Sequence, residues 1–145
     1  MSGFGDHYKL ADAVTVRLDT AKEQSLMNDF LQRLVNGIIH QEGMPEDYAN
    51  PGNLRAAPWL PHPIINDHNF WVPASRKIGI AGLAHLAALH IGQGNTLVDF
   101  ISGHPGIYGG FAPGADHNKP DLYVKDLCEW VCIPEPEQPL WNWML

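Results

Sequence analysis

The residue with the clearest chemical potential in this 145-residue chain is Glu42, which follows a run of apolar residues at helical spacing. At about 100° per residue, Leu31, Val35 and Ile38 lie on nearly the same side of a helix as position 42. Partial burial and the negative end of the helix dipole both disfavour an ionised carboxyl, so the sequence predicts a raised pKa for Glu42. Such an acid can protonate a leaving oxygen in a glycosidase. Periodicity alone favours a simpler interpretation, a Glu at a frayed helix end that points into water.

A turn with two asparagines follows Glu42, with the sequence Asn-Pro-Gly-Asn-Leu-Arg over residues 50–55. Pro-Gly is typical of a type II turn, in which Gly takes the position that needs a positive φ. The amide side chains of Asn50 and Asn53 could bind the hydroxyls or N-acetyl groups of a sugar. Taken by itself, the turn favours the alternative, in which both amides bind their own backbone.

Further motifs follow this turn in order. Gly-Ile-Ala-Gly-Leu-Ala-His-Leu covers residues 79–86, Phe-Ala-Pro-Gly-Ala-Asp-His-Asn covers 111–118, and Tyr-Val-Lys-Asp-Leu-Cys-Glu-Trp covers 123–130. Together with Glu42-Gly43 and the Asn-Pro-Gly-Asn turn, this ordered set spans roughly residues 30–141. It resembles a phage-associated branch of the lysozyme-like superfamily. That branch includes muramidase-like and lytic-transglycosylase-like proteins, some of which are virion components.

The resemblance implies cleavage of peptidoglycan glycan strands, with Glu42 as the general acid that protonates the glycosidic oxygen. It also implies that Asn50 and Asn53 shape the cleft near the acid, and that Tyr123 is the aromatic side chain beside it. We expect no cofactor. The alternative from another functional class is a non-catalytic virion, assembly or glycan-binding protein that keeps the lysozyme-like fold.

A two-carboxylate glycosidase needs a partner for Glu42, and the sequence does not single one out. The candidates are Asp67, Asp116 and Asp121. Lytic transglycosylases use a single Glu, because the N-acetyl group of the sugar assists. The sequence therefore leaves hydrolase and transglycosylase chemistry open. We also place Asp116 among the expected substrate-binding residues.

Aromatic residues are frequent in the loops that would flank the cleft: Trp59, Phe70, Trp71, Tyr108 and Phe111. Sugar rings stack on such side chains through their C–H faces. Aromatic residues in proline-rich loops more often pin a loop to the core. We expect at least one of the five to line the groove, and Trp71 and Tyr108 are the candidate substrate contacts.

The histidines and cysteines form no known metal or nucleophile motif in the sequence. His85 and His90 are five residues apart and do not share a helix face, and no His-Glu-x-x-His or Cys-x-x-Cys pattern occurs. Cys128 and Cys132 would share one helix face, which is poor geometry for a disulfide. We expect no metal ion, and two buried free thiols of which Cys128 is inert.

The pattern of apolar residues and helix signals predicts one mainly α, lysozyme-like domain over residues 1–145. A first helix is predicted from a capping box at Thr20 to a stop at Gly43. Further helices are predicted at about 75–91, at 96–102 and from Pro120. We expect an extended arm over 1–19, a hairpin near 64–72, a long loop over 103–119 and a C-terminal tail that packs back on the domain. Gly79 and Gly82 indicate close backbone packing of the second helix, against the first helix.

The composition excludes several classes of function. Apolar residues make up 45% of the chain, which is enough for a core and excludes wholesale disorder. The net charge of −7 argues against nucleic acid and against an anionic membrane as partners. We find no signal peptide pattern, so we expect synthesis in the cytoplasm and action on the wall after lysis, virion delivery or dedicated secretion. We expect a monomer.

Overall fold

The computed structural model describes residues 21–55, 60, 65–66, 69–103, 110–112 and 118–144. The helices are α1 (Ala21–Glu42), α2 (Arg76–Gly92), α3 (Leu97–Ser102) and α4 (Pro120–Val131), followed by a short 3₁₀ helix, Leu140–Trp143. The predicted mainly α class is confirmed. The N-terminal arm, Thr20 and most of the 103–119 loop lie outside the described residues.

Helix α1 contributes to the hydrophobic core because one side of it is apolar. Phe30, Leu34 and Ile38 are fully buried in the core. The helix ends as predicted at Gly43, which has a φ of 63° and donates its N–H to the Ile39 carbonyl at 3.2 Å. Glycine suits this left-handed position because it has no Cβ to clash with the backbone.

Helices α1 and α4 are packed against each other in opposite directions. Arg33, in the middle of α1, donates from Nη1 to the carbonyl of Val131 at the end of α4, at 2.9 Å. Glu42, at the end of α1, meets Tyr123 near the start of α4. Gly37 lies between these contacts and faces the side chains of Leu127 and Val131. This antiparallel arrangement brings the last turn of α1 against the first turn of α4.

Helix α2 begins after Ser75, whose hydroxyl accepts the N–H of Ile78 at 3.3 Å. Close packing at Gly79 and Gly82 is confirmed, but the partner is not α1. A Cβ on Gly79 would overlap the carbonyl oxygen of Ala49, and a Cβ on Gly82 would lie 2.6 Å from the Trp71 ring. The glycines therefore bring the segments after α1 against α2.

The segment between α1 and α2 is held by isolated backbone contacts. Ile65 pairs with Trp71 and Arg55 pairs with Phe70, each as a single antiparallel bridge. The Trp71 N–H also donates to the Leu54 carbonyl at 2.8 Å. Among the described residues of the predicted hairpin near 64–72, the pairing is one antiparallel bridge, between Ile65 and Trp71.

The C-terminal tail packs back on the domain as predicted. Its Leu140 is fully buried, and the Leu140 N–H donates to the Asn95 carbonyl at 2.9 Å. The Trp141 ring lies against Gly94, which has a φ of 76°. Within the described residues, we find no helix with the length and apolar character needed to cross a membrane.

The two cysteines are free thiols, but the prediction that both are buried is wrong. Cys128 is half-buried, and burial, with a smaller effect from Glu129, raises the pKa of its thiol. Cys132 is exposed and follows α4 in a left-handed conformation with a φ of 63°.

Candidate active site

Glu42 is the last residue of α1 and lies half-buried beside the first turn of α4. The hydroxyl of Tyr123 donates a hydrogen bond to Oε2 of Glu42 at 2.7 Å. Within the described part of the chain this is the only hydrogen bond of the Glu42 carboxyl, so Oε1 has no protein partner there. The arrangement fixes one carboxyl oxygen and leaves the other for a ligand.

Burial raises the pKa of Glu42, and the hydrogen bond from Tyr123 partly opposes this shift. A donor to the carboxylate stabilises the ionised form, whereas loss of water around it stabilises the neutral form. Burial is the larger effect, so the predicted direction is confirmed. A carboxyl with a raised pKa keeps its proton to a higher pH than an exposed Glu, as a general acid requires.

Tyr123 is suited to remain a hydrogen-bond donor. Burial, and next the nearby Glu42 carboxylate, raise the pKa of its phenol well above the usual value. Its ring meets Phe111 nearly edge-on, with centroids 6.2 Å apart, and Phe111 meets Phe100 at 5.6 Å. This row of aromatic rings packs against the phenol that binds the carboxyl.

Asn50 is an internal anchor rather than a sugar ligand, which corrects its assignment as a substrate-binding residue. Its side chain is 1% exposed. The amide nitrogen donates to the carbonyls of Leu54 at 2.9 Å and Trp71 at 3.0 Å, and Oδ1 accepts the Leu54 N–H at 2.9 Å. These three bonds leave little capacity for a ligand, because a primary amide has two donor hydrogens and one oxygen.

The turn that Asn50 begins is not of type II, because Gly52 does not have a positive φ. The Asn53 N–H still closes the turn on the Asn50 carbonyl at 2.9 Å. Glycine is needed at position 52 for space: a Cβ there would lie 2.8 Å from the buried Leu83 side chain. The positive φ falls instead on Asn53, at 53°.

Asn53 differs from Asn50 in its surroundings. It is half-buried, and its side-chain amide has no hydrogen-bond partner within the described residues. Asparagine is one of the few residues that accept the left-handed conformation at moderate cost. Of the two asparagines predicted to shape the cleft, only Asn53 keeps its amide for a ligand.

Trp71 does not line a groove, so its assignment as a substrate contact is wrong. The side chain has no exposed surface and packs against the backbone at Gly82. It belongs to the class of loop aromatic residues that pin a loop to the core. Phe70 is half-buried with the Arg55 guanidinium 4.8 Å from its ring centroid, and Phe111 is half-buried beside Tyr123. Trp59 and Tyr108 lie outside the described residues.

Asp121, the one candidate for a second carboxylate that the structure describes, does not lie beside Glu42. Asp121 is exposed in the first turn of α4. It lies about 200° around the helix from Tyr123, so it faces away from the Tyr123–Glu42 contact. Asp67 and Asp116 lie outside the described residues, so their predicted roles remain predictions.

The buried histidines belong to the core. His85 and His90 are each 4% exposed. His90 stacks on Phe100 at 4.3 Å between centroids, and its Nδ1 meets Nδ2 of Asn95 at 2.8 Å. Burial lowers the pKa of His90 to about 4, against a smaller opposing effect of Asp99. Among the described residues no group of three His, Cys, Asp or Glu side chains is placed to hold a metal ion.

Tyr123 lies beside Glu42, where the resemblance implied an aromatic side chain, but two further contacts between α1 and α4 were not predicted, and the three together form a ladder. The contacts are Glu42 with Tyr123 at 2.7 Å, Gln41 with Asp126 at 3.2 Å, and His40 with Trp130 at 3.8 Å between ring centroids. The spacing of Tyr123, Asp126 and Trp130, at i, i+3 and i+7, places them on one side of a helix and could have indicated it.

No family model matches this chain, and neither the curated proteins nor the solved structures gave a significant match to it.

Proposed function

We propose that this protein is a lysozyme-like enzyme that cleaves the glycan strands of peptidoglycan, with Glu42 as the general acid. The observation that carries the proposal is the half-buried Glu42 carboxyl, which has a raised pKa and one oxygen fixed by Tyr123. The resemblance of the Glu-Gly, Asn-Pro-Gly-Asn and Tyr-to-Trp motifs to the lysozyme-like superfamily supplies the substrate class. The Asn53 amide beside the turn is the candidate ligand for a hydroxyl or N-acetyl group.

The reaction begins with transfer of the Glu42 proton to the glycosidic oxygen as the bond from that oxygen to the anomeric carbon breaks. The bonding electrons leave with the oxygen, which departs as a hydroxyl, and the sugar becomes oxocarbenium-like. Water or a hydroxyl of the same sugar then attacks the anomeric carbon, and its proton returns to Glu42. Tyr123 stabilises the carboxylate between these two proton transfers, because its hydrogen bond favours the ionised form.

The second candidate function is a non-catalytic glycan-binding or virion protein with the same fold. The net charge of −7 favours its virion form in particular, because peptidoglycan is itself anionic and an enzyme that acts on it gains from a basic surface. Under this alternative, Glu42 and Tyr123 would bind a sugar hydroxyl without proton transfer.

The test is solubilisation of purified cell walls by the wild-type protein, Glu42→Gln and Glu46→Gln. Glu46 is an exposed acid four residues beyond the helix end, so its amide variant matches the charge change at Glu42. We expect loss of activity in Glu42→Gln alone. Analysis of the product ends separates a hydrolase, which leaves reducing ends, from a transglycosylase, which leaves anhydro ends. Wall binding without solubilisation by the wild type would support the non-catalytic alternative.

A further inference from the structure

The third contact of the ladder, between His40 and Trp130, includes a largely exposed aromatic side chain. Trp130 is 56% exposed, more than any other large apolar side chain that is exposed in the described part of the chain. Its ring is nevertheless held on one side, because His40 packs against it at 3.8 Å between centroids with the planes tilted by 51°. Its Cβ lies close to Gly37 of α1. A held, exposed indole loses little conformational entropy when a ligand stacks on it.

Polar groups that suit a sugar adjoin this indole. Asp126 lies one helical turn before Trp130 on α4, and its Oδ2 accepts a hydrogen bond from Nε2 of Gln41 at 3.2 Å. Both side chains are half-buried. Within the described residues, Asp126 keeps Oδ1 and Gln41 keeps Oε1 as acceptors without a protein partner. Hydroxyl and amide hydrogens are the donors that such acceptors would bind.

The charge around Trp130 restricts the class of ligand. Asp126 and Glu129 adjoin it on α4, and the nearby cations are Lys125 on α4 and Arg33 on α1, which binds the carbonyl of Val131. A polyphosphate or nucleic acid needs clustered basic groups, whereas here two carboxylates offset the two cations. A neutral ring with an apolar C–H face and polar edges matches a flat indole bordered by acceptors.

We propose that Trp130, His40, Gln41 and Asp126 form a glycan-binding subsite, here called the indole platform, for an N-acetylated amino sugar of the same strand that reaches Glu42. The inference rests on the proposed function for the identity of the strand. Tyr123 and Trp130 are seven residues apart on the same side of α4, which is about 10 Å along the helix. A short oligosaccharide spans that distance, so one strand can contact both ends of the ladder.

The test is the affinity of N-acetylglucosamine oligomers for the Glu42→Gln protein, measured by isothermal titration calorimetry so that no turnover interferes. Adding Trp130→Ala should weaken binding by about 5- to 10-fold, the equivalent of one lost aromatic contact. Trp130→Phe keeps a ring and should recover part of the affinity. Leu122→Ala, a truncation of another exposed apolar side chain on α4, is the matched control and should bind like the parent. Thermal melts of each variant establish that the fold is retained.

The outcomes separate this inference from the proposed function. If wall cleavage depends on Glu42 but Trp130→Ala leaves the affinity unchanged, the indole platform is not a subsite and the inference is overturned. If the wild type does not cleave walls but Trp130→Ala still weakens oligomer binding, the subsite stands and catalysis is wrong. Trp130-dependent binding to phosphatidylcholine vesicles, or Trp130-dependent dimerisation in sedimentation, without oligomer binding would also overturn the inference.

Discussion

The Tyr123 hydroxyl donates a hydrogen bond of 2.7 Å to Glu42 Oε2, joining residues 81 positions apart in the chain. Two opposing effects meet at this contact: burial favours the protonated carboxyl, and the phenol favours the ionised one. A general acid must give up its proton and recover it within each turnover. Because the two effects oppose each other, both the protonated and the ionised carboxyl of Glu42 are accessible.

Tyr123→Phe should shift the pH dependence of activity to higher pH. Removing the donor removes the interaction that lowers the Glu42 pKa, so the acid stays protonated further into the alkaline range. The ring contact with Phe111 is kept, and we expect a loss of stability of about 1 kcal/mol. The pH–rate profile on cell walls, recorded beside the wild type, measures the shift. An alkaline limb that moves to lower pH would contradict this account of the site.

Glu42→Gln should be as stable as the wild type, or slightly more stable, at pH 7. The folded-state pKa of Glu42 is raised, so the carboxyl favours folding at acid pH and loses that advantage as the pH rises through the folded pKa. Gln can still accept the Tyr123 hydrogen bond and carries no charge. The advantage of the variant should therefore disappear towards pH 4, below the ordinary Glu value near 4.5.

Melting temperatures of Glu42→Gln across this pH range provide the measurement, with Glu46→Gln as the exposed control. A Glu42→Gln protein that melts several degrees below the wild type at pH 7 would show that the ionised carboxyl makes favourable contacts, as in a structural residue.

Substitutions at Asn53 should separate a ligand role from a backbone role. At a φ of 53°, Ala is strained and should lower stability by about 1 kcal/mol, whereas Gly relieves the strain. If the amide binds the glycan, both variants lose activity although Asn53→Gly keeps its stability. Activity and melting temperature measured on the same samples decide this. Wild-type activity in Asn53→Gly would exclude the amide from the substrate contacts.

His90 should make the fold less stable as the pH falls below about 6.5. Its folded-state pKa is lowered to about 4, so the unfolded chain takes up the proton first. Its stabilising contribution is present above 6.5 and falls by roughly 1.4 kcal/mol per pH unit between the two values. Urea unfolding of the wild type and His90→Gln between pH 7 and 4.5 measures the slope. Equal slopes for the two proteins would contradict the assignment of a buried, neutral His90.

Local signals in the sequence predicted the parts of the site that depend on one helix. Periodicity and capping residues are enough to predict the apolar side of α1 and its end at Gly43, which together place Glu42 at a helix end. The same kind of signal predicts the start of α4 at Pro120. The pKa direction followed from the same pattern. The position of Tyr123 beside Glu42 was an expectation from family resemblance, since no local pattern brings together residues so far apart in the chain.

The predictions that failed depend on contacts between segments. Both hydrogens of the Asn50 side-chain amide are used, because the carbonyls of Leu54 and Trp71 converge on it. Trp71 is buried because Gly82 leaves room for its ring. A Pro-Gly pair indicates a turn but does not show that Leu83 presses on Gly52. Each of these features is decided by the packing of loop against helix, which the turn sequence does not encode.

The most direct test of the central claim is the rate at which the wild type, Glu42→Gln and Glu46→Gln release soluble fragments from purified peptidoglycan. We expect the wild type and Glu46→Gln to be active, and we expect their activity to fall as the pH rises above the raised pKa of Glu42. We expect Glu42→Gln to be inactive at every pH while remaining folded. A folded Glu42→Gln protein that releases fragments at the wild-type rate would contradict the central claim.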